Sequence, residues 1–229
     1  VSTLGDRGGE AVLAALSGSD PALQVAAIGL LRGSAVVKTA AESLNRLPAD
    51  VQVPLLAALA RSGEAVALPA VTQAASSQDP PVRRAAITAI GMLGGASSVP
   101  VLLRLLAAAE KDEQPVIVDA LTRLRGPDVD AALVQSPQPE TIRALVARGA
   151  KSAVPALFAL AETGNGDAIS ALGKLADAAD GRRLTALLDK AEDRQPVEAA
   201  LAALYRRAGD VQAVADAAAQ ASGPRKASL

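Results

Sequence analysis

The sequence contains no cysteine, no histidine and no tryptophan in its 229 residues. It can therefore form no disulfide bond, and it lacks the thiolate and the imidazole that most nucleophiles, general bases and metal sites use. We predict no catalytic residue, no bound cofactor and no metal site. The densest acidic clusters are Asp128 with Asp130 and Glu192 with Asp193. They lie at predicted helix ends, where Asp128 and Asp130 fit N-terminal caps favoured by the helix dipole.

Aromatic residues are scarce, with one Phe and one Tyr, although half of the residues are hydrophobic. Ala, Leu and Val must therefore fill the interior, which requires helices that approach one another closely. Ala and Leu are strong helix formers, and the β-branched residues are scattered instead of forming the runs typical of strands. This composition predicts an all-α protein.

An excess of charge of one sign is missing as well, since 23 basic and 24 acidic residues leave a formal net charge of −1. No strong field attracts a polyanion or an anionic membrane. The basic pairs are short, dispersed and without aromatic neighbours, which disfavours nucleic-acid binding. We interpret them as solvated helix ends: Arg182-Arg183, Arg206-Arg207 and Arg225-Lys226.

Long apolar runs do not occur, because Arg, Asp, Gly or Pro interrupts each run within about a dozen residues, fewer than the ~20 that a membrane span needs. We therefore predict no membrane span. The first residue is Val, and no signal peptide is visible. The sequence thus leaves cytoplasmic and periplasmic localisation equally open.

The most regular stretch of the chain is Asp79–Glu110, which predicts two helices and a turn. Asp79 is a suitable N-cap, and prolines follow it in the first turn. Apolar residues then recur at three- and four-residue steps, as on a half-buried helix. Gly94-Gly95 is expected to end this helix in the left-handed conformation. A second helix begins near Ser97 or Ser98.

Copies of this pattern occur along the whole chain and predict about seven antiparallel helix pairs. A near copy of the first helix is Ala168–Leu175, and weaker copies are Pro21–Arg32, Ala49–Arg61, Asp112–Arg125, Pro139–Arg148 and Gln195–Ala208. Second helices are predicted at Ala35–Leu47, Ala65–Ser76, Val129–Gln135, Ser152–Glu162, Arg182–Glu192 and Val211–Ala221. Val129–Gln135 is expected to be a clipped helix. The glycine-rich segments 5–9 and 164–167 match no phosphate-binding spacing and are predicted to be turns.

Both ends of the chain are predicted to fall within repeats. Ser2–Gly5 aligns with the end of a first helix, with Glu10–Leu16 as its partner, and Gly223–Ala227 could begin another first helix. Repeat proteins normally carry polar capping repeats, which neither end resembles. We therefore interpret residues 1–229 as a single repeat domain excerpted from a longer repeat protein.

The pattern of Asp79, Val82-Arg83, Ala85-Ala86 and Ala89-Ile90-Gly91, followed by Val99-Pro100-x-Leu102, resembles the HEAT repeat. It is most similar to the short bacterial form also found in the phycocyanobilin lyase HEAT-like group. The resemblance implies a right-handed α-solenoid (an α-α superhelix), with first helices on the convex side, second helices on the concave side, and no enzymatic activity in most members. Gln24 and Gln52 occupy the place of the family's Arg, so a continuous charged ladder between repeats is not expected.

The inner surface of such a solenoid is the best place to seek a binding site. Aligning the second helices places one residue of each at an equivalent position beside the buried stripe: Glu42, Gln73, Arg104, Ala159, Asp189 and Asp216. This row is mixed in charge, which suits a polypeptide better than a polyanion, although solvated polar residues between buried ones would look the same. Phe158 would be a binding hot spot if exposed, but packing against the next repeat explains it more simply.

These observations favour a monomeric, non-catalytic scaffold that binds a protein partner or joins neighbouring domains of the same chain. Three alternatives stay open at this point. The chain could be an accessory domain of an enzyme or of a bilin-lyase-like protein, it could be a structural spacer that binds nothing, or it could be a weak nucleic-acid binder.

Overall fold

The computed structural model describes residues 2–191 and 193–208, and within this part of the chain all regular structure is helical. The chain divides into two compact units between Val129 and Asp130. The helices are α1 (Ser2–Ser17), α2 (Pro21–Gly29), α3 (Ser34–Ser43), α4 (Ala49–Ser62), α5 (Leu68–Ala74), α6 (Pro80–Leu93), α7 (Val99–Ala108), α8 (Gln114–Arg123), α9 (Val129–Val134), α10 (Pro139–Arg148), α11 (Val154–Glu162), α12 (Gly166–Leu175), α13 (Gly181–Leu187) and α14 (Gln195–Ala208).

The first unit consists of two layers of helices. The first helices α2, α4, α6 and α8 pack side by side in chain order. On the other side, α1 packs against α3, α3 against α5, and α5 and α7 against the first helix that follows each of them. The second unit repeats this plan, with α10, α12 and α14 side by side and with α11 and α13 packed on α12 and α14. The predicted all-α fold of stacked helix pairs, as in an α-solenoid, is confirmed.

Two details of the predicted N-terminal part are wrong, because α1 is one continuous helix from Ser2 to Ser17. The segment 5–9 is not a turn, and Ser2–Gly5 and Glu10–Leu16 are not two paired helices. Glycine lowers helix propensity by about 1 kcal/mol per residue, but tertiary contact outweighs this preference. A Cβ on Gly9 would lie 3.0 Å from Thr39 Oγ1 of α3, so the glycine allows the two helices to pack closely.

The predicted ends of the repeats are largely confirmed. Asp79 caps α6, since its Oδ1 accepts a hydrogen bond from Val82 N at 3.1 Å. The second helices that follow α4, α6 and α10 each begin with a short 3-10 turn instead of an α-helical turn, at Ala65–Ala67, Ala96–Ser98 and Lys151–Ala153. The helix predicted at Val129–Gln135 is clipped as expected, with six residues in α9. The predicted helix Val211–Ala221 lies outside the described residues.

The prediction that Gly94-Gly95 ends α6 in the left-handed conformation is wrong. Its φ is −82°, and Gly95 has a φ of −133°, so neither adopts the left-handed conformation. Glycine is needed here for space, because a Cβ on Gly94 would lie 2.6 Å from Ile90 O. The carbonyl oxygen of Gly94 also accepts a hydrogen bond from Arg125 N of the next repeat at 3.1 Å. The turn is therefore a contact between repeats.

The first helices touch backbone to backbone at one equivalent position in each unit. A Cβ on Gly91 of α6 would lie 2.7 Å from the Cα of Ala120 in α8, and a Cβ on Gly173 of α12 would lie 2.7 Å from the Cα of Ala200 in α14. Real Cβ atoms do not approach so closely. The glycines and the alanines that face them therefore set the distance between neighbouring first helices.

An ion pair reinforces the α6–α8 contact. The Nη2 of Arg83 lies 2.6 Å from Oε1 of Glu113, whose side chain is 8% exposed, and Nη1 of Arg83 donates to Ser77 O at 2.9 Å. The hydrogen bond to Glu113 raises the pKa of the Arg83 guanidinium against the opposing effect of desolvation. The arginine therefore stays charged and joins two repeats 30 residues apart in sequence.

The residues equivalent to Arg83 in the two earlier repeats are the neutral Gln24 and Gln52, and they have the same role. Gln24 Nε2 donates to Gly18 O at 2.7 Å, and Gln52 Nε2 donates to Leu47 O at 2.6 Å, as Arg83 does to Ser77 O. In each of these three repeats the side chain satisfies a carbonyl of the segment before the first helix. The expected absence of a continuous charged ladder at these positions is confirmed, and neutral hydrogen bonds replace it.

We predict that Gly91→Val destabilises the protein far more than Gly164→Ala. Valine at position 91 would push α6 away from Ala120, which we expect to cost about 3 kcal/mol. Gly164 has open space around its Cβ position and a φ of 84°, so alanine there costs about 1 kcal/mol of backbone strain. Urea denaturation measures both values, and equal losses would show that the close helix contact does not matter.

We also predict that Glu113→Ala lowers the free energy of unfolding by about 2 kcal/mol. The substitution leaves the partly buried Arg83 without its partner, and the loss stays below that of a fully buried pair because Arg83 is 26% exposed. Asp112→Ala is the matched control, since its ion pair with Arg84 is exposed and contributes less than about 1 kcal/mol. Thermal denaturation of both variants distinguishes them, and the expectation fails if Asp112→Ala is the more harmful.

Candidate protein-binding surface

Three residues of the predicted binding row occupy equivalent positions on second helices of the first unit. Glu42 lies on α3, Gln73 on α5 and Arg104 on α7, each 31 residues after the one before, and all three side chains are exposed. The positions five residues earlier point inward: Val37 and Val99 are buried, and Leu68 is partly buried. The row therefore lies at the solvent edge of the buried stripe, as the helical spacing predicts.

Charge along this row changes from one helix to the next. Glu42 forms a loose contact with Lys38, whose Nζ lies 3.9 Å from its Oε1. Gln73 is neutral and Arg104 is cationic. A surface with alternating hydrogen-bonding and charged groups at regular intervals is suited to the mixed chemistry of a polypeptide.

Glu42 also lines a cleft of about 400 Å³ that the sequence did not indicate. The cleft lies between α1 and α3, and its lining combines the apolar Leu13 and Leu47 with the polar Thr39 and Arg46. Glu42 and Arg46 thus give the cleft one anionic and one cationic lining residue. No spacing rule would have found this cleft, because it depends on how α1 packs.

The second unit preserves the row less well. Ala159 is exposed on α11 but carries no polar group. Asp189 is also exposed, but it lies beyond the end of α13 at Leu187, in a segment predicted to be helical. Asp216 lies outside the described residues. The binding row therefore stays a prediction, and its regular part is restricted to the first unit.

Phe158 is not an exposed hot spot. Its side chain is 0% exposed and packs in the interior of the second unit. The guanidinium of Arg183 lies over the ring, 4.2 Å from its centroid, and also reaches Glu162 at 3.4 Å. The simpler interpretation, in which Phe158 packs between repeats, is correct.

Several charged residues that were interpreted as solvated or capping groups instead join helices. Asp130 lies in the first turn of α9, but its Oδ1 accepts from Arg148 Nε at 2.7 Å and its Oδ2 accepts from Ser152 Oγ at 3.2 Å. Arg207 of α14 donates to Gly173 O at 2.6 Å and to Ala176 O, at the end of α12. These contacts stabilise the stacking within the second unit and leave fewer charges free for a ligand.

The described residues lack two further features, a group of metal ligands and a membrane-spanning helix. No three carboxylate, histidine or cysteine side chains in this part of the chain are grouped so that they could hold a metal ion. None of the described helices is long and apolar enough to cross a membrane. Glu192 and Arg225-Lys226 lie outside the described residues.

Within each unit, two layers of paired helices define an all-α repeat fold. Two overlapping segments, residues 37–122 and 68–138, match the family model of HEAT repeats. The resemblance is thus confirmed over residues 37–138, where the chain is similar to HEAT repeats. No curated protein sequence matches the chain. A solved complex of CpcE and CpcF of phycocyanin lyase from Nostoc sp. PCC7120 is similar over 90% of this chain and 91% of that chain, with 20% identity and a TM-score of 0.45.

We predict that Phe158→Ala lowers the free energy of unfolding, because it removes a side chain from the core of the second unit. Removing a fully buried aromatic side chain costs about 3–5 kcal/mol. Arg182→Ala, at an exposed position in the same helix as Arg183, is the control and costs less than about 0.5 kcal/mol. Chemical denaturation followed by circular dichroism measures both, and a Phe158→Ala variant of native stability would show that the ring is not a core residue.

Proposed function

We propose that the protein is a non-catalytic scaffold that binds an extended segment of a partner protein, or of a neighbouring domain, along the second helices of its first unit. One observation carries the proposal: Glu42, Gln73 and Arg104 are exposed at equivalent positions on three second helices. A residue on each repeat then contributes one weak contact at a fixed interval. Several such contacts add up to useful affinity because the surface is already ordered before binding.

The composition of the row favours a polypeptide as the ligand. A nucleic acid would require cationic side chains at successive positions, whereas this row has one anionic, one neutral and one cationic residue. Enzymatic chemistry finds no support in the residue types, since the sequence has no histidine and no cysteine. The cleft beside Glu42 adds a concave, partly apolar pocket to one end of the row.

Selection from a random peptide display library tests the proposal, followed by measured affinities of the selected peptides. We expect Arg104→Glu to weaken the best peptides at least tenfold, because reversal of charge at the row places like charges together. Lys174→Glu is the control, since this lysine is an exposed residue of the first helix α12 and does not belong to the row. We expect it to leave binding unchanged.

Two outcomes would contradict the proposal. The first is a selection that yields no binding peptide, and the second is binding that Arg104→Glu and Lys174→Glu affect equally. Filter binding with single-stranded and double-stranded DNA at low salt gives a separate readout. Tight retention that falls steeply as salt is added would indicate a nucleic-acid binder instead.

A further inference from the structure

The turn between α11 and α12 contains the one Asn-Gly pair of the sequence. The chain has two asparagines: Asn165 is followed by Gly166, whereas Asn45 is followed by Arg46. Asparagine is a thermolabile residue, and its lability depends on the residue that follows, because the backbone nitrogen of that residue attacks the side-chain amide. Glycine has no Cβ to hinder this approach and rotates freely about its backbone. Asn165 is therefore suited to this reaction, and Asn45 is not.

The surroundings of Asn165 leave the reacting atoms accessible to water. Asn165 is half-buried, and Gly164 and Gly166 on either side of it are exposed. Beyond the chain neighbours of Gly166 and the backbone of its own helix, no heavy atom lies within 4 Å of the position that a Cβ there would occupy. The backbone at Gly166 is therefore not crowded by a packing neighbour.

A hydrogen bond holds Asn165 in an unreactive conformation while the first turn of α12 is closed. Its Oδ1 accepts from Ala168 N at 2.9 Å, which makes Asn165 the N-cap of the helix, and its ψ is 106°. At this ψ the backbone nitrogen of Gly166 is turned away from the side chain of Asn165. Attack on Cγ requires a large rotation about ψ, and this rotation breaks the capping bond. The reaction therefore proceeds through a local opening of this turn.

We propose that Asn165 is a site of spontaneous covalent modification, in which its side-chain amide is converted to a carboxylate. In the opened turn, the backbone nitrogen of Gly166 forms a bond to Cγ of Asn165, and the bond between Cγ and Nδ2 breaks. The side-chain nitrogen leaves as ammonia and takes the proton of the Gly166 amide with it. Water then opens the cyclic imide at either of its carbonyls, which yields aspartate or iso-linked aspartate. Solvent water is the only co-reactant.

The two products differ in their effect on α12. Aspartate keeps the capping oxygen, and its charge is favourable at the helix N-terminus, although Asp167 in the same turn opposes it. Iso-linked aspartate carries the main chain through the former side chain, which lengthens the backbone and removes the capping oxygen. The first turn of α12 is then left without its cap. Both products add a negative charge to the second unit.

Incubation of the full chain at mildly alkaline pH, followed by peptide mass spectrometry, tests the proposal. We expect the peptide with Asn165 to gain the mass that exchange of NH2 for OH adds. The exposed Asn45 is the control in the same sample, and we expect its conversion to be slower by about tenfold or more. Gly166→Ala should slow the conversion of Asn165 to a similar extent, because the methyl group hinders the attack and the structure has room for it.

Hydrogen exchange at the amide of Ala168 reports the effect on α12. We expect the iso-linked form, separated by ion-exchange chromatography, to exchange this amide faster than the unmodified chain. The variant Asn165→Asp, which keeps the capping oxygen, should retain protection. Full protection in the iso-linked form would refute the assigned effect on the helix. An Asn165 that stays unmodified, converts no faster than Asn45, or reacts at the same rate in Gly166→Ala would overturn the proposal itself.

Discussion

The close approach of neighbouring first helices is the constraint on which the rest of the structure depends. At Gly91 facing Ala120, and at Gly173 facing Ala200, there is no room for another Cβ. A chain with so few aromatic residues can build a core in this way, because small residues let backbones approach and let Leu, Ile and Val fill the space beside them.

Hydrogen bonds and ion pairs fix the orientation of neighbouring helices, which apolar contact alone would not determine. The equivalent side chains Gln24, Gln52 and Arg83 each donate to a carbonyl before their helix, and Arg83 extends the interaction to Glu113 in the next repeat. The bonds to Leu47 O and Ser77 O are partly buried, and a carbonyl left unsatisfied there would cost free energy, so these bonds disfavour other arrangements of the same apolar surfaces. In the second unit, contacts from Arg148 to Asp130 and from Arg207 to the end of α12 have the same effect. These charged side chains therefore act within the fold, whereas Glu42, Gln73 and Arg104 of the proposed binding row are exposed.

Periodicity in the sequence predicted the helix pairs, the cap at Asp79 and the short α9, because these features depend on neighbouring residues. Features that depend on distant partners were not predictable. The turn at Gly94 accepts a hydrogen bond from Arg125 N of the next repeat through its carbonyl oxygen, and the local pattern does not show this distant partner. The partner of Arg83 lies 30 residues away and is a glutamate outside the family pattern. For the candidate surface, helical spacing correctly predicted the exposure of Glu42, Gln73 and Arg104, but the cleft beside Glu42 arises from packing that no local pattern encodes.

Native-state hydrogen exchange on the full chain tests most directly whether the contacts between first helices hold the repeats together. If they do, the slowest amides of α6 and α8 exchange through one shared opening, with the same free energy and the same dependence on denaturant. A single Gly91→Ala substitution should then lower protection in both helices by a similar amount, while α12 and α14 keep theirs. Amides of α8 that exchange through a separate opening, unchanged by the substitution in α6, would contradict this description of the fold.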